Sequence, residues 1–228
     1  MYPVVYAPPP NPTDFTAFLR TQAGIPVAAL PDDSAYIPDA LQLALNVVNP
    51  VICQAAPNLY VLAVYNLGTD RLLNFAPDQA PAISSLTWSA GAVTVVTASP
   101  LPTSFNQGYE FGTVISGTTP GGYAGTFEAT VLAGSSFSYP LASDPGTATG
   151  PGNYLLPFFQ WLRAKWNLNT SVTGVVNSSS DQSTSAGFQV PAQLMSLTLS
   201  DLQRLKTPFG RAYLEIAQEY GQTLVGLT

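Results

Sequence analysis

Histidine does not occur anywhere in the 228 residues. Its absence removes Ser-His-Asp and Cys-His catalytic machinery and the usual zinc and non-haem iron ligand sets. Cysteine occurs once, at Cys53, which excludes an internal disulfide framework or a cysteine metal cluster. The simplest reading of Cys53 is a small buried hydrophobe. Charge is scarce as well: Asp, Glu, Lys and Arg make up 9% of the chain, against roughly 25% in ordinary soluble domains. Seven basic residues face thirteen acidic ones, a net charge of −6, and residues 81–152 contain no Lys or Arg at all. That balance argues against a nucleic-acid-binding surface, which needs clustered cations. No apolar run approaches the ~18 residues of a membrane-spanning helix, and the opening MYPVVYAPPPNP has neither the basic start nor the long apolar stretch of a signal peptide. The expectation is a protein made in the cytoplasm, not exported by itself, with no membrane partner.

Hydrophobic residues are plentiful, at 46% of the chain. A surface this poor in charge is hard to keep solitary, so part of it is expected to be covered by other chains. Residues 59–76, LYVLAVYNLGTDRLLNFA, are apolar on every side in their first half and carry Leu62, Tyr65, Leu72, Leu73 and Phe75 at helical spacing. Length and the lack of Gly or Pro before Gly68 favour a helix, while a strand over 59–65 stays open. Upstream, prolines at 3, 8, 9, 10 and 12 make residues 1–12 extended, either a disordered tail or, the favoured reading, an arm laid on a neighbouring subunit. Thr13 reads as the N-cap of a helix ended by Gly24 and Pro26. Pro38 marks a second helix start, and Pro50 should kink or break that helix.

Residues 81–152 change character, with β-branched and aromatic residues alternating between Gly, Pro, Ser and Asn. Five strands are expected, near 85–89, 92–98, 109–115, 126–132 and 136–141. A helix is expected over 153–166, with Phe158, Phe159, Leu162 and Trp166 on one face. The Ser/Thr-rich stretch 167–190 reads as a loop or a hairpin with arms at 172–176 and 184–190. Ser200 and Gln203 are placed as a capping box, and Thr207 and Pro208 as N-cap and first residue of a last helix. That helix carries Phe209, Ala212, Tyr213, Ile216, Ala217 and Tyr220 as a core stripe before Gly221. The fold class is therefore α+β: a discontinuous helical domain (13–80 plus 153–228) of bundle type, interrupted by a small all-β sandwich or barrel (81–152) and preceded by the arm (1–12).

Chemistry-bearing constellations are few. Glu110 and Glu128 could be imagined as a glycosidase pair, but nothing fixes their separation. Asp32, Asp33 and Asp70 lack calcium-loop spacing and read as a turn and as a surface ion pair with Arg71. Gly117, Gly121, Gly122 and Gly125 lack the Lys-Ser/Thr of a phosphate loop. No catalytic residue, metal or cofactor is expected.

Two stretches carry a resemblance. PNLYVLAVYNLGTDRLL together with SLTLSDLQRLKTPFGRAYLEIAQEYG resembles the head-to-tail connector (adaptor) proteins of tailed bacteriophages. Between them, a TVVT strand, then VISGTTPGGYAGTF and FSYPLASDPG, is similar to a small Ig-like β module of phage virion proteins. Val114, Ser116, Gly117, Pro120, Tyr123, Gly125, Thr126 and Phe127 carry the first part of its signature. Phe137, Tyr139 and residues 141–146 carry the second. The resemblance implies a structural virion protein in the neck: a cyclic homo-oligomer, a dodecamer matching the portal, with portal, tail and neck proteins as partners and passive contact with packaged DNA. The expected contact residues are Pro8, Pro9 and Pro10 of the arm, Val175, Val176 and Phe188 of the loop, and an exposed basic set, Arg204, Lys206 and Arg211. The alternative is a virion accessory binding host-surface carbohydrate, with Trp88, Tyr109 and Tyr123 as its stacking platform.

Overall fold

A computed structural model of the chain describes residues 8–170, 178–180, 185–187 and 198–221. The fold is α+β. In chain order it runs α1 (Pro12–Thr21), α2 (Tyr36–Leu45), α3 (Val51–Ala55) and α4 (Pro57–Phe75), then β1 (Ile83–Ser89), β2 (Ala92–Thr97), β3 (Glu110–Ser116), β4 (Gly125–Ala133), β5 (Ser136–Pro140) and β6 (Asn153–Tyr154). It continues with α5 (Phe158–Lys165), β7 (Ser178–Ser180), β8 (Ser185–Gly187), α6 (Leu199–Arg204) and α7 (Pro208–Gly221). The chain divides into two compact units. A helical unit comprises Met1–Pro12, Pro38–Asn74 and Arg163–Thr228, and a sheet unit comprises Thr13–Ile37 and Phe75–Leu162.

The helices follow local signals, with shifted ends. Residues 59–65 are helical, and Pro57, expected as a spacer, is instead the first residue of α4, where its missing N–H costs nothing. Ala63 to Asp70 are buried without a break, as an all-round apolar helix requires, but Leu62 and Phe75 turn outward. Pro50 separates α2 from α3. The first helix begins at Pro12, one residue before the expected Thr13 cap. Gly24 follows it with φ +65°, and Ile25 N donates to Leu19 O at 3.0 Å, turning the chain.

In the sheet unit, five of the six strands lie within two residues of their expected bounds. They hydrogen-bond into one curled antiparallel sheet, a half-barrel of order β1-β2-β5-β4-β3-β6. Tyr154 N donates to Pro81 O (3.1 Å) and Ile83 N to Gly152 O (2.9 Å), bridging β6 back toward the start of β1. Alternation is strict in β2 and β3, so Val93, Val95, Phe111 and Ile115 point inward with Phe137 and Tyr154. The expected helix over 153–166 is corrected here. Residues 153–154 pair with Ser116 and Ile115 as a strand, and the helix starts only after Pro157. Proline disfavours helical backbone in the residue before it. Asp78 then caps α5, accepting from Phe159 N at 2.6 Å. Trp166 falls beyond the helix end, while Phe158, Phe159 and Leu162 are buried as expected.

Residues 123–127 and 137–146 meet in space. The Tyr139 hydroxyl donates to Tyr123 O (3.0 Å), the Tyr123 hydroxyl donates to Gly146 O (2.7 Å), and the Phe127 and Tyr139 rings stack at 4.2 Å. Asp144 accepts from Gly146 N at 2.8 Å and shapes that turn. The spacing of these residues therefore has a packing reason within the sheet unit itself.

Candidate interaction surface

In the helical unit, the last two helices are organised by one buried polar junction. Thr207 lies at the entry of α7, where its side-chain oxygen accepts from Gly210 N at 2.8 Å, as an N-cap should. The same hydroxyl donates to Asp70 Oδ1 of α4 at 2.6 Å. Asp70 is 3% exposed, so the expected surface ion pair with Arg71 is corrected to a buried, hydrogen-bonded carboxylate. Burial pushes its pKa above the ordinary aspartate value, although the Thr207 bond and the Arg71 and Arg204 charges pull the other way. Gly210 has a steric role: a Cβ there would sit 2.1 Å from Arg204 O, so only glycine lets α7 approach the end of α6 so closely.

The capping box of α6 lies two residues from its expected place. Thr198 is the N-cap, accepting from Asp201 N, and Asp201 accepts in return from Thr198 N at 3.1 Å. Partial burial works against the Asp201 carboxylate, but the Thr198 bonds and Arg204 outweigh it and hold its pKa below the ordinary value. Arg204 pairs with Asp201 at 2.6 Å and stacks 5.4 Å from the centre of the Tyr213 ring.

Of the expected basic contact set, only Arg211 is exposed. Arg204 is held by Asp201 and Tyr213. Lys206 is half-buried and donates to Asn167 O at 2.8 Å and to Thr170 O, tying α6 to the segment after α5. Both are structural cations whose tertiary partners the sequence did not reveal. Pro8 and Pro9 are exposed and Pro10 half-buried. Just beyond them, Asn11 N donates to the Tyr65 hydroxyl at 3.3 Å. Val175, Val176 and Phe188 lie outside the described residues, as do the hairpin arms at 172–176 and most of 184–190. The described strands of that region are β7 and β8.

What sequence reasoning missed is an outward apolar face on the helical unit. Leu43 (46% exposed), Val47 (45%) and Val51 (37%) recur every fourth residue from α2 to α3. Val47 and Val51 border a groove of about 70 Å³ whose other wall is Tyr213, Ala217 and Tyr220 of α7. The α7 stripe expected as core is therefore only partly so. Tyr213 and its neighbour Leu214 are buried, whereas Phe209, Ala212, Ile216, Ala217 and Tyr220 are half-exposed. Cys53 on α3 is exposed, which corrects the buried reading.

No family model, curated protein or solved structure matches this chain.

The sheet unit presents a different surface. Residues paired across five strands, Thr87, Thr94, Ser138, Thr130 and Glu110, form a polar row on its outer face. Glu110 and Glu128 are both exposed there, without the dry, shaped setting that acid–base chemistry requires. Trp88 donates its indole N–H to Leu141 O (2.8 Å), Tyr109 packs on Phe105 (4.6 Å between ring centres), and Tyr123 is buried. With Tyr123 inside, the three aromatics do not form a shared stacking platform. A cleft of about 420 Å³ lies between residues 24–28 and 99–103. The Arg20 guanidinium beside it is bound to Ile25 O (2.8 Å), Leu30 O (2.6 Å) and Asp32 (2.5 Å). Among the described residues, no group of three His, Cys, Asp or Glu side chains could hold a metal ion. No described helix is long and apolar enough to cross a membrane.

Proposed function

We propose that the chain is a structural subunit of a tailed-phage neck that assembles into a closed ring between portal and tail. The observation that carries this reading is the mismatch between surface and charge. Leu43, Val47, Val51, Leu62 and Leu199 of the helical unit all point outward in a chain with 9% charged residues. Outward aliphatics on a surface this poor in charge are ordinary at subunit contacts. A heterologous contact that closes on itself yields a ring; a dodecamer is the size that matches a portal. The resemblance of residues 57–73 and 196–221 to connector proteins supplies the location. The curled sheet is read as the inserted Ig-like module of the same virion assembly, and Arg211, as the exposed cation of the basic set, is the side chain offered to an acidic portal. The test is negative-stain imaging of the purified chain and of virions probed with an antibody against it. Rings in the first sample and neck labelling in the second are expected. A chain that stays monomeric and is absent from virions would overturn the reading, and specific glycan binding by that monomer would favour a carbohydrate-binding accessory.

A further inference from the structure

The sheet unit has an unguarded edge. Leu141 N donates to Gly91 O and Thr97 N to Ser135 O, both at 2.9 Å, so the odd-numbered residues of β2 turn their backbone groups to β5. The even-numbered ones bond to Ser85, Thr87 and Ser89 of β1, and the N–H and C=O of Leu86 and Trp88 point the other way. Pairing on that outer side, Ile83 N to Gly152 O, stops at the bulge between Ile83 and Ser85. Beyond it, the backbone groups of Leu86 and Trp88 have no partner among the described residues.

Sheet edges are ordinarily blunted by charge or proline. The free part of β3 is blunted in this way. There, Val131 N donating to Tyr109 O (2.9 Å) leaves Glu110 and Gly112 facing outward, and the exposed Glu110 carboxylate guards them. Ser85 to Ser89 contain neither charge nor proline, and no charged residue occurs between Asp78 and Glu110. The groups left open on β1 are matched by the alternating donors and acceptors of one added strand.

The chain carries a segment with the matching pattern. Residues 1–7, outside the described residues, read MYPVVYA and hold no charge. Val4, Val5 and Tyr6 are strong strand formers. In an antiparallel register with Val5 opposite Thr87, Tyr6 exchanges backbone bonds with Leu86 and Val4 with Trp88, apolar side chain against apolar side chain. The prolines fix the phase. Pro3, which has no N–H, falls on the side turned away from β1, and Pro8, which would have to donate, ends the strand after Ala7. Pro8 to Pro10 then form a stiff spacer, which favours reaching a neighbour over folding back.

We infer that residues 4–7 of one copy add as a strand to the open edge of β1 on the next copy. The inference rests on the ring reading above and names the contact. Each copy donates one segment and accepts another, a heterologous contact of the kind that closes into a ring.

The test uses the full chain with Cys53→Ser, so that the exposed native thiol takes no part. Two differently tagged versions, one with Val5→Cys and the other with Thr87→Cys, are co-expressed, purified and oxidised. Opposed residues that exchange no backbone bonds lie about 4.5 Å apart between Cα atoms, within disulfide reach. A disulfide-linked pair carrying both tags is expected, and none from Val5→Cys with Val114→Cys, which is exposed on the outer face of β3. In the otherwise wild-type chain, Val4→Pro/Tyr6→Pro removes both donors and should raise the concentration needed for assembly, read by mass photometry, at least about tenfold. Val5→Pro, whose N–H is unused, should raise it less than about threefold. Rings that form without the mixed pair overturn the strand contact and leave the ring reading standing. A disulfide that appears only when one chain carries both substitutions overturns it too, since each segment then serves its own edge. A monomeric wild type overturns both.

Discussion

Thr207→Ala is the most informative single change, because one hydroxyl holds two elements. It caps α7 through Gly210 N at 2.8 Å and donates to the buried Asp70 carboxylate at 2.6 Å. Loss of a threonine N-cap costs about 1 kcal/mol. Loss of a hydrogen bond to a charged acceptor costs about 1.5–3 kcal/mol, and the 3% exposure of Asp70 leaves little water to replace the donor. Together these give about 2–4 kcal/mol, which for a chain of this length lowers Tm by about 5–15 °C. Thr207→Ser keeps the oxygen and its proton, loses one methyl group, and should cost less than about 1 kcal/mol. Urea unfolding followed by circular dichroism measures all three proteins. The reasoning fails if Thr207→Ala lies within about 0.5 kcal/mol of the wild type, or if Thr207→Ser is as damaging as Thr207→Ala.

Gly210→Ala, which drives a Cβ to 2.1 Å from Arg204 O, should destabilise by about 2–3 kcal/mol in the same assay even though alanine is the better helix former; a neutral result would show that α6 and α7 can separate freely. Because Asp70 has a raised pKa in the folded chain, its contribution to stability is fully present below the unfolded aspartate pKa of about 3.9 and is lost as pH rises through the folded value. Asp70→Asn should therefore hold stability near neutral pH and flatten this part of the pH profile, and a steeper decline toward neutral pH in the variant would contradict the assignment. Asp201 has the opposite sign: its depressed pKa gives stability above the unfolded value that fades as pH falls through the folded one, so Asp201→Asn should lose stability most at neutral pH. Cys53, exposed on α3, should react with a thiol reagent at one equivalent per native chain without denaturant, and a thiol silent until unfolding would place it inside instead.

Patterns that depend only on neighbours along the chain were legible in the sequence. The two-residue period located β1 to β5, the proline at 50 located the break before α3, and Thr207-Pro208 located the start of α7, since each acts through the local backbone. The sequence shows that a capping box is present but not where, because Thr198-x-x-Asp201 and Ser200-x-x-Gln203 offer the same spacing and only the actual helix start chooses between them. Contacts across long stretches of sequence were not legible. Asp70 and Thr207 are 137 residues apart, Lys206 finds its carbonyls 36 to 39 residues away, and residues 153–154 leave a helical pattern because β3 offers them an edge. The alternation of a stripe shows that it is apolar but not what covers it. The burial of Tyr213 and the exposure of Val47 and Val51 were therefore decided by tertiary packing alone, since an apolar face is satisfied equally by the chain's own core or by a neighbour.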